Sequence, residues 1–537
     1  MSTIQHDTHD PFLQRAVEYW LDAANELGYQ PLFCSLLCTL GFTVKHFSKS
    51  GPHEQGKDVI AVDAEGIAHA FQLKGGDITL RKWRDEVKPE IEELIEIPIK
   101  HPGIDKSHPH ISYLVTNGEL DDTVRVAIDD LNASRWKDTP VIVWRRGDLL
   151  TKFQAMAHGI LPRDAQTYKE LIDLIFPNPV GLADIESANS FFSKILRVDE
   201  EVSKEQRRRD IAAAVLYANL MVGTYRKNEN HISVLRILVL LLTHILLLAD
   251  KRRLADAYWL EAFQITWADI LQTARALEAE INTGGFTKAF DSPLDRDLMP
   301  MRKHAATAHV LALKLSELID GDKNWTAVID KFQDGTYNET INLWGEASLI
   351  PFVFLTLLFR QAPTQNENAY RFSIEAMDQI LKVGGRKAKE PPGLISPYYD
   401  FDFAIKRAYK LLDYEFEDDY RRASYFLKPL IELLARRGLR VPISDRWREI
   451  SFFHFEQFIP SENWRYYLWR SEEGDNATYI PEQAQSWKKL VIQANSFDGE
   501  VLPNLLKRFP SFVPFFLVVF THRLDSETLA LLDRSSS

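Results

Sequence analysis

The sequence predicts a mixed α/β domain at the N-terminus, followed by a large all-α region. Up to about residue 160, short β-branched runs alternate with segments of helical spacing, which is typical of a partly parallel sheet covered by helices on both sides. After FPNPVG, residues 176–181, apolar residues recur almost throughout at helical period. We therefore expect an α/β domain over 1–160 and a helical region over 161–537. The polar stretch GGRKAKEPPG is the candidate for dividing the latter near 384–394.

The composition is that of a globular protein without a membrane anchor. Hydrophobic residues make up 45% of the 537 residues, and the formal net charge is −12, so contact with nucleic acid requires a local basic patch. The two cysteines, Cys34 and Cys38, lie four apart in an apolar run and are expected as buried free thiols, which fits a reducing cytoplasm. The apolar run 232–250 contains Arg236 and His244 and predicts a buried helix rather than a span, and no secretory leader is expected.

The elements of the N-terminal domain follow from local patterns. PFLQRAVEYWLDAANELG predicts a first helix ending at Gly28, and a second helix is expected from Pro31 to about Leu40, closed by Gly41. FTVKHFS predicts a strand, and VIAVD–AEG–IAHAFQLK predicts a hairpin. A basic amphipathic helix over 80–97, the strand of ISYLVTNG, the helix of DDTVRVAIDDLNAS and the strand of VIVW, running into a helix, complete the domain.

The segment GPHEQGKD, residues 51–58, differs by one residue from a phosphate-binding P-loop. Gly51, Gly56 and Lys57 match that pattern, but Asp58 replaces the hydroxyl residue and would repel phosphate. The β-branched VIAVD that follows provides no helix N-terminus for the anion. The match is therefore interpreted as a coincidence.

The hairpin pattern makes a geometric prediction instead. With AEG as a three-residue loop and Gly66 at positive φ, the numbers of paired residues add up to 130, which places Asp58 opposite Gln72. Lys74 lies on the same face because side chains alternate along a strand. A slip of one residue would separate these groups.

This convergence suits metal-assisted hydrolysis of a phosphodiester. Mg²⁺ prefers oxygen ligands and keeps several waters. Asp58, the Gln72 amide oxygen and the backbone carbonyl of Leu73 are the candidate ligands, with Mn²⁺ as a substitute ion. The metal would activate a water, while Lys74 would orient or deprotonate it and offset negative charge.

The segments GKDVIAV, FQLKGG, ISYLVTNGEL and VIVWRRGDLL resemble the PD-(D/E)xK nuclease superfamily, in its Mrr-like branch with Q-x-K in place of E-x-K. The resemblance covers about residues 11–155 and implies a restriction-endonuclease-like fold. It also implies metal ligation at Asp58 and Gln72, and a catalytic lysine at Lys74. Many members add a glutamate from the first helices. Glu18 and Glu26 lie near this position in the sequence; Glu18 is the candidate, and Glu54 is the competitor.

The helix after the hairpin begins RKWRDEVK and places basic residues near the predicted site. They are either a solvated helix face or a set of contacts to the phosphate backbone, and they comprise Arg81, Lys82, Arg84 and Lys88.

The sequence thus predicts a cytoplasmic Mg²⁺-dependent DNA endonuclease controlled by its helical region. By analogy with the family, it would be an effector of a prokaryotic anti-phage defence system. A homo-oligomer that pairs two active sites, and a partner protein of the same system, are the expected assemblies. Two alternatives stay open: a catalytically inactive module that binds nucleic acid or protein, and a nuclease for RNA or for structured or modified DNA.

Overall fold

The chain divides into two compact units in the computed structural model. The first contains 1–179, 190–228 and 254–269, and the second contains 180–189, 229–253 and 270–537, so segments of the predicted helical region belong to both units. Of the predicted division near 384–394, only Gly384 is described. The residues that the structure describes are 15, 17–18, 20–22, 24, 26–47, 57–99, 104, 109–158, 165–178, 181–283, 299–322, 325–326, 345–361, 369–384, 396–398, 422–470, 474–496 and 501–536.

A five-stranded mixed sheet forms the centre of the first unit. The strands are adjacent in chain order; β1–β2 and β2–β3 are antiparallel, whereas β3–β4 and β4–β5 are parallel. This confirms the predicted mixed α/β class. The strands are β1 (Thr43–Phe47), β2 (Val59–Val62), β3 (Ala68–Lys74), β4 (Ile111–Thr116) and β5 (Val141–Trp144).

The β2–β3 hairpin has the predicted register. Val59 pairs with Phe71 and Val62 with Ala68, so the paired numbers add up to 130. Gly66 has a φ of +87°, which a residue with a Cβ adopts only with strain. The loop chemistry thus selects this register, while both strands are buried along almost their whole length.

The two faces of the sheet pack against different helices. On one face, Phe71 of β3 contacts Phe33 of α1 (Glu26–Thr39), with ring centroids 5.3 Å apart. On the other face, Ile60 and Ala70 belong to a hydrophobic cluster with Ile91 and Leu94. Those two residues lie on α2, which runs through Leu80–Lys82, a π-helical turn at Trp83–Val87, and Lys88–Glu96.

The predicted start of the second helix was wrong. Helix α1 begins at Glu26, so Gly28 and Pro31 lie inside it rather than at a helix end. Proline at this depth lacks one backbone donor, and the burial of apolar residues such as Leu32 offsets that loss. The predicted C-terminus was correct: Gly41 has a φ of +94°, and the N–H of Phe42 donates to the carbonyl of Leu37.

Helices account for most of the remaining described chain. Up to residue 282 they are Asp122–Ala133, Arg146–His158, Ala165–Ile175, Ile185–Leu196, Lys204–Lys227, His231–Lys251 and Leu260–Asn282. The later α-helices within the described residues are Met299–Ile319, Ile350–Arg360, Arg371–Gly384, Leu427–Arg436, Arg440–Ser444, Trp447–Ile450, Trp487–Asn495, Asn504–Arg508, Val513–Val519 and Ser526–Ser535.

The expectation of an all-α C-terminal region was wrong in one respect. The second unit contains a small three-stranded sheet of β6 (Ala423–Ser424), β7 (His454–Phe458) and β8 (Asn476–Tyr479). The central strand β7 pairs in parallel with β6 and antiparallel with β8. Strand β7 is rich in aromatic residues, which are favoured in strands, and its Phe455 and Phe458 are buried.

The apolar helix His231–Lys251 is a core element of the second unit, as expected. It is the one helix among the described residues that is long and apolar enough to cross a membrane, and 94% of its apolar 18-residue stretch is buried inside the protein. His244, within it, donates from Nε2 to Oδ1 of Asn189 over 3.0 Å, and burial lowers its pKa to about 4. A neutral, hydrogen-bonded histidine can be accommodated in such a core.

Candidate functional site

Asp58, Gln72 and Lys74 lie together where the hairpin approaches the carboxyl end of β3. All three are buried, with exposed fractions of 7%, 4% and 5%. The backbone N–H of Asp58 donates to the carbonyl of Phe71 over 3.0 Å, which continues the hairpin ladder to the position facing Gln72. The three polar side chains therefore share the sheet face that α2 covers.

The backbone holds Asp58 in place. Its Oδ2 accepts the N–H of Leu73 over 2.6 Å, and its carbonyl accepts Nε2 of Gln30 of α1 over 3.2 Å. A backbone donor to a carboxylate is a strong, charge-assisted hydrogen bond. Leu73, predicted to contribute its carbonyl, thus contacts Asp58 through its N–H, while its side chain is fully buried.

Gln72 carries a buried polar atom that the described protein groups leave unsatisfied. Its Oε1 is buried and has no hydrogen-bond partner within the described part of the chain. Leaving a buried acceptor unsatisfied costs about 1–3 kcal/mol, so such atoms call for an explanation, such as an ion. An unsatisfied amide oxygen next to a carboxylate suits a hard cation.

Lys74 forms ion pairs with two carboxylates of α2. Its Nζ lies 2.6 Å from Oε2 of Glu90 and 3.4 Å from Oε1 of Glu86. Burial by itself lowers the pKa of Lys74, but the hydrogen bond with Glu90 and the charges of Glu26, Glu90 and Glu86 together raise it. A protonated Lys74 can offset negative charge, whereas it is a poor general base.

Glu26, in the first turn of α1, is the acidic residue from the first helices that faces this cluster. Burial raises its pKa; the charge of Lys74 opposes the shift, and the charges of Glu90 and Glu86 add to it. Glu18, the candidate predicted from the sequence, instead acts through its charge on Arg146. Glu54, the competitor, lies outside the described residues.

Tyr29 connects this cluster to the sheet. Its hydroxyl is 3.0 Å from the carbonyl of Lys74 and 3.3 Å from that of Val115, and it accepts the N–H of Lys74 over 3.2 Å. Burial raises the pKa of Tyr29 well above its usual value, and the charges of Glu26 and Asp58 contribute to the shift. The neutral hydroxyl thus connects α1 to the ends of β3 and β4 through hydrogen bonds.

The four basic residues predicted to contact nucleic acid differ in their placement. Lys82 donates from Nζ to the carbonyl of Gly75 over 2.9 Å, directly after β3. Arg81 is exposed and lies 3.6 Å from Asp85 on the same helix. Arg84 is exposed as well, and Lys88 is half-buried. Lys82 is therefore the member adjoining the site, and the arginines are available to solvent.

Lys57 does not act as the anchor that a P-loop would need. It is buried, with 3% exposed, and burial lowers its pKa to about 8 against the opposing charge of Glu93. Burial lowers the pKa of His110, and the charge of Lys57 lowers it further, whereas a hydrogen bond with the backbone of Leu94 raises it. This places Lys57 beside the C-terminal half of α2.

The donor set fits a sparsely ligated Mg²⁺ rather than an acid-rich metal centre. Within the ranges that the structure describes, no group of three or more His, Cys, Asp or Glu side chains is arranged to hold a metal ion. Asp58 and Gln72 offer hard oxygens at one position, and Mg²⁺ commonly binds through one or two carboxylates and several waters. Glu26 is a further carboxylate of this cluster, because the charges of Lys74 and Glu90 act on it.

Comparison of the chain with protein-family models, with curated proteins and with solved structures found no match.

Proposed function

We propose that this protein is a metal-dependent DNA endonuclease whose remaining helical region controls cleavage. One observation carries the proposal: Asp58, Gln72 and Lys74 converge on one sheet face, and the buried Oε1 of Gln72 lacks a hydrogen-bond partner among the described residues. The order of elements, with a helix, a strand, a hairpin and then alternating helices and strands, supports the resemblance to PD-(D/E)xK nucleases.

In this proposal the side chains divide the work. Asp58 and Gln72 would hold Mg²⁺ or Mn²⁺, which when bound acidifies a water and stabilises charge on the scissile phosphate. Lys74, kept protonated by Glu90 and Glu86, attracts the phosphate and offsets the charge that develops on it. The hydrogen bond that the backbone N–H of Leu73 donates to Asp58 fixes the orientation of its carboxylate.

The duplex would approach along α2. The chain carries a net charge of −12, so the attraction must come from local basic residues. Arg81 and Arg84 are exposed on the first turns of α2, and Lys82 adjoins the end of β3. These residues contact phosphates rather than bases in the proposal, and they position the strand over Lys74.

The resemblance also supports a role as an effector of a prokaryotic anti-phage defence system. The second unit, or a partner protein of the same system, would then hold the nuclease inactive until infection. A homo-oligomer would pair two active sites for cleavage of both strands.

The test is cleavage of supercoiled plasmid by the full chain with Mg²⁺ or Mn²⁺, compared with EDTA. Asp58→Ala and Lys74→Ala are expected to lower the rate at least about a hundredfold, the range typical for loss of one electrostatic contact in a catalytic site. Glu65→Ala, an exposed change in the loop of the same hairpin, is the control and should cut like the wild type. Equal cutting by all variants would refute the assignment.

One observation favours the second candidate, a catalytically inactive binding module: the Nζ of Lys74 is engaged by Glu90 at 2.6 Å. A gel-shift assay on the same proteins separates the two functions. DNA binding that persists in EDTA, without cleavage in any metal, would identify the binding module. A panel of RNA, branched DNA and modified DNA identifies the substrate if the plasmid is not cut.

A further inference from the structure

The second unit contains a cavity of about 420 Å³ that the nuclease proposal does not use. It lies between β7, the helix Leu427–Arg436 and the start of the helix Ser526–Ser535. Pockets for small ligands in proteins have about 300–1,000 Å³. The cavity is therefore large enough for a small organic molecule or for one long side chain of a peptide.

Carboxylates outnumber cations in the cavity wall. One lysine lines it, Lys428, whose Nζ lies 3.6 Å from Glu432 and donates to Gln457 over 2.8 Å. Arg523 is buried next to the wall, and the charge of one lining carboxylate, Asp525, acts on its guanidinium. The four carboxylates that line the cavity are Glu432, Glu456, Asp525 and Glu527.

A histidine in the same wall points independently to a ligand with hydrogen-bond donors. His522 lines the cavity and is 3% exposed, and its Nε2 has no hydrogen-bond partner within the described residues. The ring makes a hydrogen bond with the backbone of Trp469, and burial together with Arg523 and Arg470 lowers its pKa well below the usual value. A neutral ring that donates from Nδ1 to a carbonyl leaves Nε2 as an acceptor.

Aromatic rings complete the lining. Tyr425, Phe458 and Tyr479 contribute to the wall. The guanidinium of Arg523 already lies 3.6 Å from the ring centroid of Phe458, so this unit shows a cation on an aromatic face. Carboxylates, an acceptor nitrogen and aromatic faces are together the features that recognise an organic cation.

Two of the lining carboxylates lack full compensation. Burial raises the pKa of Asp525 to about 6, although hydrogen bonds with Thr528 and Tyr466 oppose the shift. Burial also raises the pKa of Glu456, against a hydrogen bond from Thr478. A cation in the cavity would favour the ionised form of both groups.

We propose that this cavity binds a small organic cation that carries a guanidinium or a primary ammonium group. The cationic group contacts Glu456 and Glu432 and donates to Nε2 of His522, and its carbon chain lies along the aromatic wall. Two sources share this chemistry: a free amine or guanidine, and an arginine or lysine side chain of a peptide. Binding here would give the second unit a ligand through which to control the first.

Isothermal titration of the full chain with agmatine, with spermidine and with the peptide Gly-Arg-Gly tests this proposal. We expect one-to-one binding of at least one probe and a Kd raised at least about tenfold in Glu456→Gln, since a hydrogen bond to a charged group contributes about 1.5–3 kcal/mol. Ile459→Trp, at a half-exposed position of the wall, should block the cavity without a change in charge. Glu462→Gln, exposed and outside the cavity, is the matched control and should bind like the wild type.

The pattern across probes identifies the source. Binding of agmatine or spermidine alone indicates a free cation, and binding of the peptide indicates a side chain. Each variant must first show the wild-type melting temperature within a few degrees. Absence of binding by every probe at about 10 mM, the weak end of measurable affinity, would overturn the proposal. Unchanged binding in both Glu456→Gln and Ile459→Trp would overturn it as well.

Discussion

Replacing Tyr29 with phenylalanine removes one oxygen atom from the centre of the candidate site and leaves the buried ring in place. The hydroxyl accepts the N–H of Lys74 and donates to a carbonyl, that of Lys74 or of Val115. Each hydrogen bond contributes about 1 kcal/mol net, and an unsatisfied buried donor costs about 1–3 kcal/mol. We therefore expect Tyr29→Phe to destabilise the end of β3 by about 2 kcal/mol.

Amide hydrogen exchange measured by mass spectrometry detects this loss where it occurs. A change of about 2 kcal/mol in local opening corresponds to about 30-fold faster exchange, which we expect in a peptide covering residues 71–78. Tyr113→Phe is the control on the same sheet, because its hydroxyl contacts a side chain, Nδ1 of His69, rather than the backbone at the end of β3. Exchange at residues 71–78 that is the same in Tyr29→Phe and the wild type would refute the role assigned to the hydroxyl.

Three further changes test separate parts of the structure. Gln72→Glu adds a buried carboxylate near Asp58, so the variant should melt lower than the wild type in EDTA and gain more from Mg²⁺; an equal gain would contradict metal binding there. Burial raises the pKa of Glu346 to about 7. The protonated carboxyl therefore stabilises the folded state below about pH 4.5, and this stabilisation, up to about 3 kcal/mol, is lost as the pH rises to about 7. The free energy of unfolding in urea should therefore change less with pH in Glu346→Gln than in the wild type. An identical pH dependence in both proteins would exclude Glu346 as the source of this change. Gly66→Ala, at a φ of +87°, should cost about 1 kcal/mol by the same method, whereas Gly147→Ala, which stands in a helix with open space around the new Cβ, should not destabilise.

The hairpin could be predicted from the sequence because its signals are local. A three-residue loop with glycine at the left-handed position selects one register, and the observed pairs of the two strands have that register. That register alone was enough to bring Asp58, Gln72 and Lys74 to one face.

Glu86 and Glu90 were not predicted as neighbours of Lys74, and Glu26 was ranked below Glu18, because these contacts depend on tertiary packing. Glu26 was assigned to the end of a helix because Gly28 resembles a C-cap, although Asn25 before it is a favoured residue at a helix start. Glu86 and Glu90 lie on α2, where the basic residues of RKWRDEVK predict a contact with phosphates. Their contact with Lys74 depends on how α2 packs across the sheet, which periodicity within one helix does not determine.

The π-helical turn at Trp83–Val87 sets the rotational phase of α2. An extra residue in one turn rotates everything after it by about 100° relative to an uninterrupted α-helix. With this rotation of the helix, Ile91 and Leu94 pack into the hydrophobic cluster while Glu90 forms its ion pair with Lys74. Deleting one residue from this turn would leave a regular helix in which Glu90, Ile91 and Leu94 rotate together relative to the residues before the turn, so the two ends of α2 could not both keep their contacts. A local irregularity of the backbone thus couples the packing of the domain to the charge at its site.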